Sequence, residues 1–390
     1  MTPSFDVLII GGGVHGVHLF HLIKKRTENK LTIGIADPNP APLHNWKHCT
    51  SNSGMEFLRS PSVHHVDIDP FALQKFSDHH SIQPKPFVAP RNRPSLNLFN
   101  AHVRDVLSAY KQEDYWIQTQ ITDIELHSMG ARIFSEDGEI HARHIILAIG
   151  NGGQLNMPEW ANSLASKAFP VHHIYSPDFS VKAYKEGFHT VVVGSGMGAV
   201  QTFIKLAESY SGKITLLTPG KINVSQYDID PGWMGPKYLH RFYSEQRTFK
   251  RRAMISSARK RGTITPDINW KLNQVLKMEH AHHVIGKIKS GELFGSDNAF
   301  LNLEGEGHLF CDQILVGTGF SPTINSTLIQ NLKNNSHLKC AECGYPIIDP
   351  FLRWHEHLSV SGELAELEIG PGAKNIIGAR HAGERIQRLF

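Results

Sequence analysis

Cysteine is scarce in this sequence, with four among 390 residues. That excludes a disulfide framework and agrees with a reducing interior. Long apolar runs are missing too: nothing approaches the ~18 consecutive residues that a membrane-spanning helix needs. Met1 to Asp6 has neither the basic start nor the apolar stretch of a secretory signal, so the expected compartment is the cytoplasm. Excess charge of one sign is also lacking. A net charge of +4 with 19% charged residues suits an anionic ligand but falls short of a nucleic-acid footprint. There is no low-complexity tract and no short-period repeat. Histidine, by contrast, is plentiful at 25. Its doublets, His64-His65, His79-His80, His172-His173 and His282-His283, have no carboxylate at a spacing that completes a metal site, and no metal is expected.

What is present is one kind of glycine-rich turn, twice: GGGVHG from Gly11 to Gly16 and GSGMGA from Gly194 to Ala199. Each follows an apolar strand-like run, Val7-Leu8-Ile9-Ile10 or Val191-Val192-Val193, and opens a helix-like segment, the context that a dinucleotide fingerprint requires. The reason is steric. Gly11 and Gly194 permit the tight turn; Gly13 and Gly196 let a pyrophosphate approach the backbone at Val14 and His15 or at Met197 and Gly198; Gly16 and Ala199 keep helix and sheet close. The helix N-terminus adds unpaired donors and partial positive charge. Leu31 to Ala36 reads as a second strand ending in Asp37, 21 residues after Gly16, where an acid holds the adenosine ribose hydroxyls. Each half then passes through a turn, Glu136-Asp137-Gly138 or Glu304-Gly305-Glu306-Gly307, into an apolar strand that ends near glycine, at Gly150 or Gly319.

This combination resembles the flavoproteins with two dinucleotide-binding domains, the group that contains flavin monooxygenases, ornithine and lysine N-hydroxylases, and pyridine nucleotide-disulfide reductases. The resemblance extends to the end of the chain, through Gly362 to Pro371 and then Asn375-Ile376-Ile377-Gly378-Ala379-Arg380. In such proteins the final strand and helix return to the FAD domain and set a helix N-terminus beside the flavin pyrimidine ring, where its dipole stabilises negative charge. The resemblance implies an α/β fold of two Rossmann-like domains, with the nicotinamide domain inserted in a discontinuous FAD domain. The FAD domain would span 1–165 and 305–390, and the nicotinamide domain 166–304. The stretch from Pro158 to Gly187, with its mixed polarity, reads as the crossing linker.

The second site differs from the first in one readable way. Its second strand, Lys213 to Leu217, ends in Thr218, where an NAD-selective site carries an acid. Absence of that acid favours NADPH, with Lys221, or one of Lys250, Arg251 and Arg252, as the partner of the 2′-phosphate. The alternative for the basic cluster is a solvated helix face.

The reaction class depends on what stands in place of a flavin-proximal dithiol. Cys49 lies in the region where one disulfide-reductase pair sits but has no partner, and Cys340-Ala341-Glu342-Cys343 has redox spacing in an unexpected place. Ser53 to Pro61, which contains Met55 and Arg59, looks like the segment over the flavin in ornithine and lysine N-hydroxylases, without the Asp that follows the basic residue there. Met55, Arg59 and the nearby His64 are the candidate catalytic residues; Met55, Phe57 and Leu58 equally read as core. The resemblance implies an FAD-dependent, NADPH-using monooxygenase that hydroxylates a small amine or sulfur nucleophile through a C4a-hydroperoxyflavin, with O2 as co-substrate. Two alternatives stay open: an NAD(P)H-dependent flavin or disulfide-type reductase, and a flavin-binding regulatory protein like the oxidative-stress-induced growth inhibitors of animals.

Overall fold

The computed structural model describes residues 3–80, 86–151, 153–181, 187–295, 297–305 and 307–390. Two wound sheets, the first mainly and the second wholly parallel, organise them. In the first, β1 (Ser4–Ile10) lies between β2 (Ile33–Asp37) and β4 (Gly138–Leu147), with β3 (Trp116–Gln118) outside β2. Val7, Leu8 and Ile9 are completely buried, which is why β1 reads as a continuous apolar run instead of an alternating one. Helix α1 (Val14–Arg26) follows at once, burying Val17, Leu19, Phe20 and Ile23 and ending in Lys24, Lys25 and Arg26, where cations suit the helix dipole.

The second sheet comprises β5 (Val171–His173), β6 (Thr190–Val193), β7 (Ile214–Thr218), β8 (Ala281–Ile285) and β9 (Gln313–Val316). All its pairs are parallel, in the order β8-β7-β6-β9-β5. Helix α2 (Met197–Ser209) follows β6 as α1 follows β1. A further helix, α3 (Thr248–Ala258), packs against the chain's returning segment. That segment holds β10 (Arg353–His355) and β11 (Leu358–Val360), and β11 pairs parallel with β4 of the first sheet. The orders β3-β2-β1-β4-β11 and β8-β7-β6-β9-β5 therefore correspond strand for strand. The last helix, α4 (Ile376–Ile386), lies on α1 so closely that a Cβ at Gly383 would stand 2.7 Å from His18 Nε2.

Two sequence boundaries change. The expectation that 305–390 lies wholly with the first sheet fails at Gln313–Val316, whose buried Ile314, Leu315 and Val316 run beside Thr190–Val193 in the second. The chain crosses back only after this strand. The stretch read as a linker contains a helix, Glu159–Ala165, and β5, because Ala161, Leu164 and Phe169 are buried in the second sheet's core. Met1, Glu306 and residues 182–186 of that stretch lie outside the described residues. Among the described residues no helix is long and apolar enough to cross a membrane.

Candidate functional site

The first glycine turn is shaped by contacts that leave no room for side chains at two of its positions. Gly11 has φ +109°, and a Cβ there would stand 2.4 Å from the Ala148 carbonyl oxygen; at Gly16 it would stand 1.9 Å from that of Gly11. Gly13 is different. It is the N-cap of α1, no side chain caps the helix, and a Cβ would meet nothing within 4 Å. The turn thus offers an open space against a helix start whose first-turn N–H groups, at Val14 and His15, have no intrahelical acceptor. Such a helix start suits an anionic group.

Asp37 stands beside this space as the spacing suggests. Its Oδ2 accepts from Gly12 N at 2.7 Å, and its Oδ1 from Asn39 N at 2.9 Å and Asn39 Nδ2 at 2.8 Å. A carboxylate has about four acceptor sites, so one remains for a ribose hydroxyl. The Trp116 ring covers Gly12 so closely that a Cβ there would fall 2.2 Å from it. The sequence reading missed Trp116, because nothing local tells which side of β3 meets the turn.

The returning segment closes the first site. His15 Nε2 donates to the Asn375 carbonyl at 3.1 Å, which leaves Nδ1 to accept from the Ser361 hydroxyl at 2.8 Å. Burial pushes the His15 pKa down to about 4, so the ring is neutral and this tautomer is fixed. Asn375 is the N-cap of α4 and Ile376 its first residue. The starts of α1 and α4 therefore meet. Gly150, at φ +60°, presents its carbonyl to Thr323 Oγ1 at 2.7 Å, and the same hydroxyl lies 3.0 Å from Glu363 Oε2. Burial raises the Glu363 pKa, but Lys374 at 2.9 Å, Tyr345 and Thr323 outweigh it and hold the carboxyl below the usual range.

The second turn repeats the design. Gly194 has φ +142°, and a Cβ there would lie 2.6 Å from the Gly317 carbonyl oxygen. Gly196, the N-cap of α2, again meets nothing within 4 Å. At Gly198 a Cβ would be 1.8 Å from the Tyr175 hydroxyl oxygen, and Tyr175 stacks on Phe320 with centroids 5.0 Å apart. Around these residues is a cavity of about 570 Å³, lined also by Trp160, Met197, Lys287 and Gly319. Tyr175, Trp160 and Lys287 were not singled out from the sequence. They come from segments far apart in the chain.

Several candidate residues sit elsewhere than expected. The Thr218 side chain is fully buried: its hydroxyl lies 2.8 Å from the Gly220 carbonyl and 2.9 Å from His283 Nε2, and it does not line the cavity. Lys221 is exposed and does not line the cavity. Arg251 is 2.6 Å from Glu368 and Arg252 is 2.5 Å from Glu366, so these two side chains of α3 are engaged by carboxylates of the returning segment. Met55 packs with Val17, Leu58 and Phe99, which makes it a core-packing residue. Arg59 donates to the carbonyls of Gln226 (2.9 Å) and Ser225 (2.7 Å) and to Thr263 Oγ1 (2.9 Å), tying the two sheets' units together. His64 is buried, and desolvation together with the charges of Arg380, His381 and Arg91 pushes its pKa down to about 4. A second cavity, of about 640 Å³, lies between the helix Pro236–Ser244 and α4; neither glycine turn lines it.

Residues 8–152 match an FAD-NAD(P)-binding family, a span that holds the end of β1, the first glycine turn, Asp37 and Gly150. No curated protein matches the chain. Among solved structures, the fold is similar to that of ornithine hydroxylase from Pseudomonas aeruginosa in its reduced form, at 16% identity over 99% of this chain and 98% of that one, with a TM-score of 0.78. It is similar to the FAD-bound cadaverine monooxygenase of the desferrioxamine pathway from Erwinia amylovora, at 12% identity over 99% and 94%, TM-score 0.76. It is also similar to L-lysine 6-monooxygenase from Pseudomonas syringae, at 17% identity over 99% and 98%, TM-score 0.73. At these identities the likeness is one of fold.

Proposed function

We propose that this chain is an FAD-dependent, NADPH-using monooxygenase that hydroxylates a small amine or sulfur nucleophile with O2. The observation that carries the reading is the pair of open cradles, over Gly13 and over Gly196, in one chain whose fold runs end to end with flavin N-hydroxylases. In this reading the FAD domain comprises residues 1 to about 157 and about 320–390, and the nicotinamide domain is the insert between them, with its start moved before the helix Glu159–Ala165 and its end past β9. The protein works in the cytoplasm, in keeping with four free thiols.

The residues fit both groups. First-turn N–H groups of α1, at Val14 and His15, would hold the FAD pyrophosphate, Asp37 would hold the adenosine ribose, and the start of α4, at Asn375 and Ile376, would offer its partial positive charge to the flavin. In the second cradle, Met197 and Gly198 do for the nicotinamide nucleotide what Val14 and His15 do for FAD. Bound flavin supplies the redox and oxygen chemistry. The protein's share is to orient the two nucleotides, exclude water and keep nearby groups from carrying stray protons. His15, neutral and committed to Ser361 and Asn375, adds no charge of its own there and holds the starts of α1 and α4 together.

The disulfide-reductase reading lacks a dithiol at the cradles. Cys340 and Cys343 lie on a turn of the returning segment, neither lines the 570 Å³ cavity, and Cys343 faces Arg252. Oxygen consumption driven by NADPH, with mass spectrometry of a panel of primary amines and thioethers, tests the proposal. One added oxygen in an amine or sulfur product supports it. Reduction of a disulfide without oxygen uptake would replace it with the reductase reading.

A further inference from the structure

We propose that Lys287 selects NADPH by pairing with the adenosine 2′-phosphate, with Glu304 as its partner in the free protein. The inference rests on reading the second cradle as the nicotinamide-nucleotide site. In an open parallel sheet the ligand crevice lies beyond the carboxyl ends of the strands. Strands β7 and β8 end side by side: Thr218 is in register with Ile285, and Gly286 N donates to the Thr218 carbonyl at 2.9 Å. The residues that follow these ends, Pro219 on one side and Gly286 and Lys287 on the other, line the cavity over Gly196. Lys287 thus stands beside the end of the strand that carries the ribose-binding position.

Charge singles out the same residue. Among the described residues that line this cavity Lys287 is the one cation, and none is Asp or Glu. Thr218 supplies no carboxylate, and its hydroxyl is already engaged with Gly220 and His283. Of the other cations that the sequence offers, Arg251 and Arg252 are committed to Glu368 and Glu366, and Lys221 and Lys250 do not line the cavity. Lys287 is held loosely. Its Nζ is 3.5 Å from Glu304 Oε2, with the two side chains 62% and 63% exposed. Such a pair is worth little, so a phosphate dianion readily takes the place of Glu304.

Equilibrium binding separates this inference from the catalytic reading. Adenosine 2′,5′-bisphosphate and AMP, titrated calorimetrically into the purified flavoprotein, differ only in the 2′-phosphate. Wild type should bind the bisphosphate more tightly. Lys287→Ala should lose that preference, on the order of tenfold, with AMP binding unchanged. Lys287→Arg should keep the preference, and Glu304→Gln should strengthen it. Both side chains are exposed, so the variants should fold as wild type does, which circular dichroism checks. An unchanged preference in Lys287→Ala overturns the inference and leaves the nicotinamide site standing. If wild type itself binds neither nucleotide, or binds both equally, the site reading or its NADPH assignment falls, and the inference falls with it.

Discussion

Arg252 pairs with Glu366 at 2.5 Å, and the carboxylate has no exposed side-chain area. Arg259 holds its other oxygen, and the Arg252 guanidinium lies 3.8 Å over the Tyr345 ring. These contacts fasten α3 to the segment that leads into α4, and so join the second sheet's unit to the start of the first cradle's closing helix. Removing one partner of a buried pair leaves charge uncompensated, at a cost of about 3–5 kcal/mol. Glu366→Ala, which strands two guanidinium groups, should lose stability in that range by urea denaturation. An unchanged midpoint would show that the pair does not secure the junction.

Acid should weaken the protein through its buried histidines. Burial pushes His15, His64 and His65 down to about 4 in the folded chain, from an ordinary value near 6.5. The unfolded chain therefore takes up these protons first. The stability is fully present above pH 6.5 and is lost as the pH falls from there toward 4. Each group contributes about 1.4 kcal/mol per pH unit within the window. Melting temperature measured from pH 8 to 5 should be level at first and then decline; a level curve throughout would mean that these rings are not held neutral.

Gly13→Val should yield folded protein without flavin. A Cβ there meets no protein atom within 4 Å, so the added side chain occupies the open space of the cradle. Gly196→Val should keep the flavin and lose reduction by NADPH, since the second cradle belongs to the other sheet. Absorbance spectra of the two purified variants decide this. A normal flavin spectrum from Gly13→Val would mean that the first site is misassigned.

Replacing both Cys340 and Cys343 with Ser should leave flavin reduction by NADPH and the subsequent oxygen reaction intact. Cys340 bonds the Leu338 carbonyl and Cys343 faces Arg252, both within the returning segment's own surroundings. Loss of electron transfer to every acceptor, with flavin still bound and reducible, would establish a dithiol relay.

The glycine turns were legible because their steric logic is local: Gly11, Gly13 and Gly16 lie within one strand-to-helix turn, and Asp37 one strand further on. The strands ending at Asp37 and Thr218 were readable for the same reason, as short buried apolar runs. Thr218 misled because position along a strand does not reveal that its hydroxyl turns inward to His283. Arg59 and Arg252 misled because their partners, Ser225 and Glu366, lie more than a hundred residues away across the junction between units. Lys287 escaped notice because its place in the cavity depends on β8 pairing beside β7, a register that composition does not carry.

On the proposed function, NADPH-reduced flavin in this protein uses oxygen on a nucleophile and does not pass electrons to a disulfide. Stopped-flow absorbance of the reduced protein holding NADP⁺, mixed with O2, tests it most directly. A transient species absorbing in the near-ultraviolet, distinct from oxidised flavin, should form, and its decay should quicken with a suitable amine or sulfur compound. Direct return to oxidised flavin with no such transient, at a rate indifferent to every amine and sulfur compound tried, would contradict it.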